Sequence, residues 1–377
     1  MINLLKSETL KLKHQKRWFI LFLVSVISLL FIANHYFSLY PTYNSSQLSI
    51  FQNTRIQLQN LISQKEKQLP TISDQTIILN SIKNNKEQLT KYLNLEEALI
   101  RSDFQKANHI LLSLNPSDVI NNKIRQSLIE QDLPTILLAP VRVGSILGFF
   151  NYLIESYMWL IITLAAIFVG FDVINNEEPN KSIQLTFLQP YKRSHIIITK
   201  VILRIFLTIM IIILSFVVIY FILRFNHETG WLEQPVIYSP FSLGDNQARF
   251  ADTNIMSLSD YFVLNAVYII LNISLVISLC ALINTFIKQP HMAMIALLVL
   301  LISFYINLNN KTLFNAVVYC PYFYLFKPAI DYGITDPGSF FYHYRQARYV
   351  YGLLLMPMMI SINIFITLYL YKRKELR

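Results

Sequence analysis

The chain has 377 residues and a formal net charge of +10, with 54% hydrophobic and only 14% charged residues. Its mean hydropathy of +0.42 is too high for a soluble domain of this length, so the composition excludes a soluble protein. The lysines and arginines lie beside apolar runs, which is the pattern of membrane anchoring and argues against a nucleic-acid-binding surface.

Six apolar segments are long enough to cross a bilayer, since about 30 Å of hydrocarbon requires roughly 20 helical residues. The predicted spans are Trp18–Tyr40, Ile146–Phe171, Val201–Phe225, Tyr261–Ile283, Met292–Leu308 and Tyr351–Tyr371. The first is too long for the apolar core of a cleaved signal peptide and lacks a small-residue cleavage site. We therefore predict an all-α integral membrane protein with six transmembrane helices.

Basic residues predict the orientation of these spans. They cluster in residues 1–17, 172–200 and 372–377, and an even number of spans places all three segments on one side. The positive-inside rule makes that side cytoplasmic, so both termini and the short turn 284–291 are predicted to be cytoplasmic. The segments predicted to lie outside are 41–145, 226–260 and 309–350.

The N-terminal segment 1–17 mixes leucines with lysines and a glutamate, which predicts an amphipathic helix in the cytoplasmic interface. Beyond the first span, apolar residues recur at intervals of three and four in 48–69 and again in 79–93, on either side of a break at 70–74. Two antiparallel helices and two shorter helical pieces then predict a helical extracellular domain over 41–145. Both a role in capturing substrate or a partner and a purely structural role remain open.

Two charged residues fall within predicted spans. Glu155 lies in the second span, and a charge at mid-bilayer costs about 2.5–3.5 kcal/mol on insertion scales. Because Glu155 lies near the outer end of this span, solvation at the outer interface is the favoured interpretation, and a possible intramembrane polar site is the alternative. Arg204 lies near the cytoplasmic end of the third span, where we expect its side chain to snorkel to the interface.

Near the other end of the chain, residues 313–326 form an apolar run that is too short to cross the bilayer. A tyrosine-rich stretch follows, which places this run at headgroup depth as a re-entrant or interfacial hairpin. A loop on the membrane surface is the alternative.

Motifs for enzyme chemistry are missing from the sequence. It contains no G-x-x-x-x-G-K-[ST], H-E-x-x-H, C-x-x-C or G-x-S-x-G, and its seven histidines are scattered. We therefore predict no catalytic residue, no ATP site and no metal site in this chain. Any work that the protein performs must draw its energy from a source outside this chain.

The stretch FVGFDVINNEEPNKSIQLTFLQPYKRSHIIITK at 168–200 resembles the segment between the second and third membrane helices of ABC-2 type transporter permeases. Acidic residues follow the second helix there, and an amphipathic run ends in Leu-x-x-Pro before an Arg and a Lys. The corresponding residues here are Glu177, Glu178, Ser182, Leu185, Leu188, Pro190, Arg193 and Lys200, with Leu188 two residues before Pro190 where the family pattern has three.

This resemblance implies the membrane-spanning permease subunit of an ATP-driven exporter of amphipathic peptides, bacteriocins, lipids or drugs. It implies that a separate ABC ATPase subunit binds ATP and Mg, and that a second permease completes a homodimer or heterodimer. It also implies a multi-pass protein of the cell membrane, of bacterial origin, with membrane lipids as further partners and no nucleic acid.

Physical reasoning about the loop 172–200 leads to the same site. A short helix with exposed Leu185 and Leu188 can dock in a groove of an ATPase, while mixed charges set the register. An ordinary cytoplasmic loop is the alternative at this position. For the whole chain, the rival is a non-transporting sensor or scaffold that binds through 41–145. A secondary transporter is disfavoured because the sequence lacks inverted repeats and paired intramembrane charges.

Overall fold

The structure, a computed structural model, describes Thr9 and residues 17–39, 43–68, 75–101, 103–114, 119–132, 145–174, 193–238, 254–287, 289–308 and 349–374. Its longer helices are α1 (Arg17–Leu39), α2 (Tyr43–Gln68), α3 (Gln75–Ile100), α4 (Phe104–Leu114), α5 (Val119–Glu130), α6 (Ile146–Ser156), α7 (Met158–Gly170), α8 (Arg193–Arg224), α9 (Leu258–Phe286), α10 (Pro290–Leu308) and α11 (Tyr349–Lys374). The strands are β1 (Pro235–Tyr238) and β2 (Asn254–Ser257). The predicted hairpin at 313–326, and the interfacial helix at 1–17 apart from Thr9 and Arg17, lie outside the described residues.

Helices α2 to α5 form a separate layer with a small core of their own. Helices α2 and α3 pack antiparallel, because Arg55 Nη1 lies 2.7 Å from Glu96 Oε2 and Lys86 Nζ lies 2.8 Å from Glu66 Oε1. Helix α4 then packs against α3. The buried residues at this contact are Leu95, Ala98, Ala107 and Leu111. The predicted pair of antiparallel helices in this part of the chain is confirmed.

The remaining helices form an apolar bundle around α9. This helix contacts α7, α8, α10 and α11, and residues such as Ile273 and Ile277 have no exposed surface. Large apolar side chains such as Phe31 and Phe365 instead point outward from the bundle. A helix bundle whose outer surface is as apolar as its interior is stable in hydrocarbon and not in water.

Within the described residues, four helical segments are long and apolar enough to cross a membrane: Trp18–Ser38, Ser194–Arg224, Leu258–Phe286 and Gly352–Arg373. Helices α6 and α7 make a fifth span if the bent pair is counted as one. The apolar segment Pro290–Ser303 of α10 is shorter. All of these coincide with the apolar segments recognised in the sequence. Helix α8 begins at Arg193, eight residues before the predicted third span.

A sharp bend divides the second predicted span. The sequence predicts one continuous helix over 146–171, whereas α6 and α7 meet at an angle of 69° at Tyr157. Tyr157 has φ −125° and ψ −14°, although its N–H still donates to Leu153 O at 3.0 Å. The polar pair Glu155 and Ser156 interrupts the apolar run just before the bend, and serine favours non-helical backbone.

Contacts between helices fix their relative directions. Helices α7 and α9 run parallel, because Met158 and Phe262 near their starts line one cavity and Gly170 packs on Cys280 near their ends. Helices α9 and α11 are also parallel, because Tyr268 faces Gly352 and, further along both helices, Ser278 Oγ accepts from Asn363 Nδ2 at 3.1 Å. Helix α8 is antiparallel to α7, since Asp172, just after α7, lies beside Arg204 in the first half of α8. We call this end of the bundle the loop end, because the predicted loop 172–200 leaves and re-enters the bundle there.

The opposite end of the bundle carries a two-stranded ribbon that the sequence did not predict within 226–260. Strands β1 and β2 are antiparallel, with Pro235 opposite Ser257, and both contact α5. Gly230 precedes the ribbon with φ +87°, and a Cβ there would lie 2.8 Å from Ser145 Oγ. Glycine is therefore required on two counts, and the ribbon joins the α2–α5 layer to the bundle.

Candidate functional site

Most residues predicted to contact an ATPase lie outside the described residues. These are Glu177, Glu178, Ser182, Leu185, Leu188 and Pro190. Arg193 is the first residue of α8, and the chain on the other side of the loop is described as far as Ile174. The structure therefore defines the two anchors of the loop at the loop end of the bundle. Val173 and Ile174 are buried there, so the first anchor is held by packing.

An ion pair lies beside this first anchor. Arg204 Nη2 is 3.2 Å from Asp172 Oδ1, and the two side chains are only 6% and 3% exposed. The expectation that Arg204 snorkels to the interface is therefore wrong. A buried guanidinium requires a counter-charge, and the carboxylate of Asp172 supplies it across the α7–α8 contact. The pair also removes one of the two arguments against a secondary transporter.

Trp18 completes this cluster from α1. The Arg204 guanidinium carbon lies 4.9 Å from the centroid of the Trp18 ring, which is the geometry of a cation–π contact. A planar guanidinium can face a carboxylate and an aromatic ring at the same time, which lysine does less well. Trp18, Asp172 and Arg204, here called the buried triad, thus link α1, α7 and α8 at the loop end.

The end of α7 is also held by α9 and α10. Asn284 Nδ2 donates to Gly170 O at 3.3 Å, which satisfies a carbonyl at the helix C-terminus. A Cβ at Gly170 would lie 3.0 Å from Cys280 Sγ, so the two helices are in close contact. The Phe171 ring stacks on His291 at the start of α10, with centroids 6.1 Å apart. Neighbours on four helices therefore fix the backbone from which the loop departs.

Glu155, the possible intramembrane polar site, lies in the last turn of α6, two residues before the bend at Tyr157. Beside this bend is an apolar cavity of about 240 Å³ between α6, α7, α8 and α9. Its lining residues are Phe150, Ile154, Met158, Phe216, Phe262, Ala266 and Ile269. The described residues contain no group of three or more His, Cys, Asp or Glu side chains that could hold a metal ion.

Sequence reasoning missed Asp172 and misjudged Arg204. Asp172 directly follows the second apolar segment, five residues before the acidic pair Glu177 and Glu178 that corresponds to the family pattern. The signal was present in the sequence: one acidic residue follows the end of a predicted span, and one basic residue lies about one turn into the next predicted span on the same side. Two opposite charges at equal depth on antiparallel neighbours predict a pair.

The apolar bundle, with its long outward-facing hydrophobic helices, defines the chain as a multi-pass membrane protein. The family model described as ABC-2 family transporter protein matches residues 2–376, which is nearly the whole chain. The chain therefore belongs to the ABC-2 family of transporter membrane proteins, as the resemblance of its 168–200 segment implied. Neither the curated proteins nor the solved structures yielded a match.

Permeases of this family are membrane subunits without an ATP site of their own, and they generally work with an ABC ATPase. The family match covers the α2–α5 layer as well as the bundle. That layer lies outside the 168–200 segment on which the resemblance was noted in the sequence.

Proposed function

We propose that this chain is the membrane-spanning permease subunit of an ABC-2 type exporter in a bacterial cell membrane. A separate ABC ATPase binds ATP and Mg and drives it, and a second permease, identical or homologous, completes the transport path. The cargo is an amphipathic peptide or bacteriocin, a lipid or a drug. The family match over residues 2–376 carries this proposal.

In the proposed topology six spans place both termini in the cytoplasm, and the α2–α5 layer lies outside. The directions of the helices support this arrangement. Helix α1 starts at the loop end with Trp18, and α11 runs parallel to α7 and so finishes at that end. The basic residues near both termini and near the loop then face the same side, as the positive-inside rule requires.

The proposed contact with the ATPase is the loop 172–200. Its candidate residues are Glu177, Glu178, Ser182, Leu185, Leu188, Pro190 and Arg193. Two features of the described anchors support it. The start of the loop is fixed by packing and by the buried triad, and Arg193 begins a 32-residue helix that runs the length of the bundle. A displacement of the loop would therefore be transmitted to the packed first anchor on one side and to helix α8 on the other.

Coexpression with candidate ABC ATPases from the same organism tests the proposed function. We expect one of them to copurify with this chain, and we expect the purified chain alone to hydrolyse no ATP, since its sequence lacks a P-loop. A P-loop lysine variant of the ATPase serves as the control for contaminating activity. ATP turnover by the isolated chain would end the proposal as stated, as would failure of every candidate ATPase to copurify.

Cysteine labelling tests the proposed topology. In a background without Cys280 and Cys320, single cysteines replace Ser63, Ser117 or Ser182. We expect an impermeant thiol reagent added outside to modify the first two and to leave the third unmodified until the membrane is opened. Ser63 is exposed on α2, so its labelling is not limited by burial. Equal labelling of all three from outside contradicts the six-span arrangement.

A further inference from the structure

We infer that the buried triad carries movement of the loop 172–200 to α1, a helix that has no chain connection to the loop. Trp18, Asp172 and Arg204 are then positioning residues in the coupling between the ATPase and the membrane helices. This inference rests on the proposed function, and it adds a defined route by which a third helix responds.

The buried triad lies beside the first loop anchor and about three helical turns from the second. Asp172 lies two residues before Ile174, which is the last described residue of the first anchor. Arg204 lies eleven residues into α8 from Arg193, which is about 16 Å along the helix axis at 1.5 Å per residue. The pair therefore braces α8 about three turns from its first residue, level with the end of α7, and α7 and α8 cannot separate there without breaking it.

Helix α1 lies far from the loop along the chain. Residues 40–145 and the whole α2–α5 layer separate α1 from α6 along the chain, so α1 cannot be pulled through the backbone by the loop. At the loop end the described contact between α1 and the charged pair is the Trp18 ring facing Arg204. Movement of α7 or α8 reaches α1 through this contact and the apolar packing around it.

A buried charge pair resists separation more strongly than apolar contacts resist sliding. Apolar side chains slide past one another with small changes in energy, whereas separating a buried Arg from its carboxylate leaves both charges uncompensated. Such a contact either holds or breaks, and it transmits displacement while it holds. The Trp18 ring also transmits displacement to α1, because the cation–π contact persists only while the Arg204 guanidinium stays over the ring.

A fluorophore on α1 tests the inference in the complex with the ABC ATPase that copurifies with this chain. Phe19 is 63% exposed and adjoins Trp18, so Phe19→Cys labelled with bimane, in a background with Cys280→Ala and Cys320→Ala, reports on the start of α1. Addition of ATP and Mg to the complex should change its emission. With Asp172→Asn or Arg204→Gln the change should be about tenfold smaller, while the amount of captured ATPase stays the same.

Two pairs of variants separate this role from a structural one. Trp18→Phe keeps an aromatic face for Arg204 and should retain the response, whereas Trp18→Leu should lose it. Ser278→Ala removes the acceptor of a buried hydrogen bond from Asn363 between α9 and α11 and should leave the response intact. If a single charge variant does not fold, the double variant Asp172→Asn with Arg204→Gln leaves no buried charge unpaired and should fold without responding.

An Asp172→Asn complex that responds like the wild type overturns the inference, and so does a wild-type complex that forms but gives no response at position 19. Both results leave the proposed function standing. A wild-type chain that captures no ATPase instead refutes the proposed function and this inference with it.

Discussion

Replacing Leu185 and Leu188 together by aspartate is expected to abolish capture of the partner ATPase while membrane insertion is unchanged. In the proposed site these leucines enter a groove of the ATPase, so the double variant would bring two carboxylates into a desolvated contact. An unpaired buried charge costs about 3–5 kcal/mol, against about 8 kcal/mol for a transient interface of micromolar affinity. Binding should fall by at least about a hundredfold, measured as ATPase retained on the immobilised complex.

Matched variants show whether the loss comes from the desolvated charge. Leu185→Met with Leu188→Met keeps both positions apolar and should cost less than about 1.5 kcal/mol. Arg193→Glu reverses a charge at the rim of the proposed contact and should cost about 0–1 kcal/mol. A double aspartate variant that still recruits its ATPase and still supports export would remove the loop from the coupling path.

The second large effect is expected at Gly352, where α11 packs on α9. A Cβ at this glycine would lie 2.5 Å from Tyr268 Oη and 2.8 Å from Cε2 of the same ring, which is only 2% exposed and has little room to move. Gly352→Ala gains about 0.5–1 kcal/mol in helix propensity, while overpacking a buried contact costs about 1–3 kcal/mol. We therefore expect a net loss of stability, seen as a lower unfolding midpoint in detergent.

A compensating change at Tyr268 checks the cause. Tyr268→Phe removes the closest atom and should recover part of the midpoint in the Gly352→Ala background, whereas Tyr268→Leu also removes the ring atoms and should recover more. If neither change recovers stability in that background, the close approach of α11 to α9 is not what Gly352 provides.

The helical elements were largely predictable, because apolar runs and intervals of three and four are local signals. The break between α2 and α3 followed from Pro70 and its polar neighbours, and the structure has a helix on either side of it. The ribbon formed by β1 and β2 was not predicted, since each strand has four residues and they pair across 15 intervening positions. Short strands paired at a distance carry almost no sequence signal.

The candidate site was predictable only in part. The family resemblance at 168–200 indicated the loop, and the structure describes its two anchors, residues 172–174 and Arg193. The pairing of Asp172 with Arg204 depends on the depth and rotation of two helices, which periodicity does not fix. The bend at Tyr157 was also missed, because hydropathy averages over a window and is insensitive to two polar residues inside an apolar run.

That bend has a consequence for the lipid around the protein. Helix α7 has 13 residues, which span about 20 Å at 1.5 Å per residue. Helix α6 has 11 residues, but at 69° to α7 it adds only about 6 Å along the same axis. With α7 along the membrane normal, the pair presents about 26 Å of apolar height to a bilayer whose hydrocarbon is about 30 Å thick.

A hydrophobic wall that is too short is accommodated by local thinning of the bilayer or by snorkelling of flanking residues. The outer leaflet beside α6 would then be drawn inward, and its headgroups would approach the apolar cavity at the bend. In the proposed placement, thinned lipid at this side of the bundle would shorten the path of an amphipathic molecule between the leaflet and the protein.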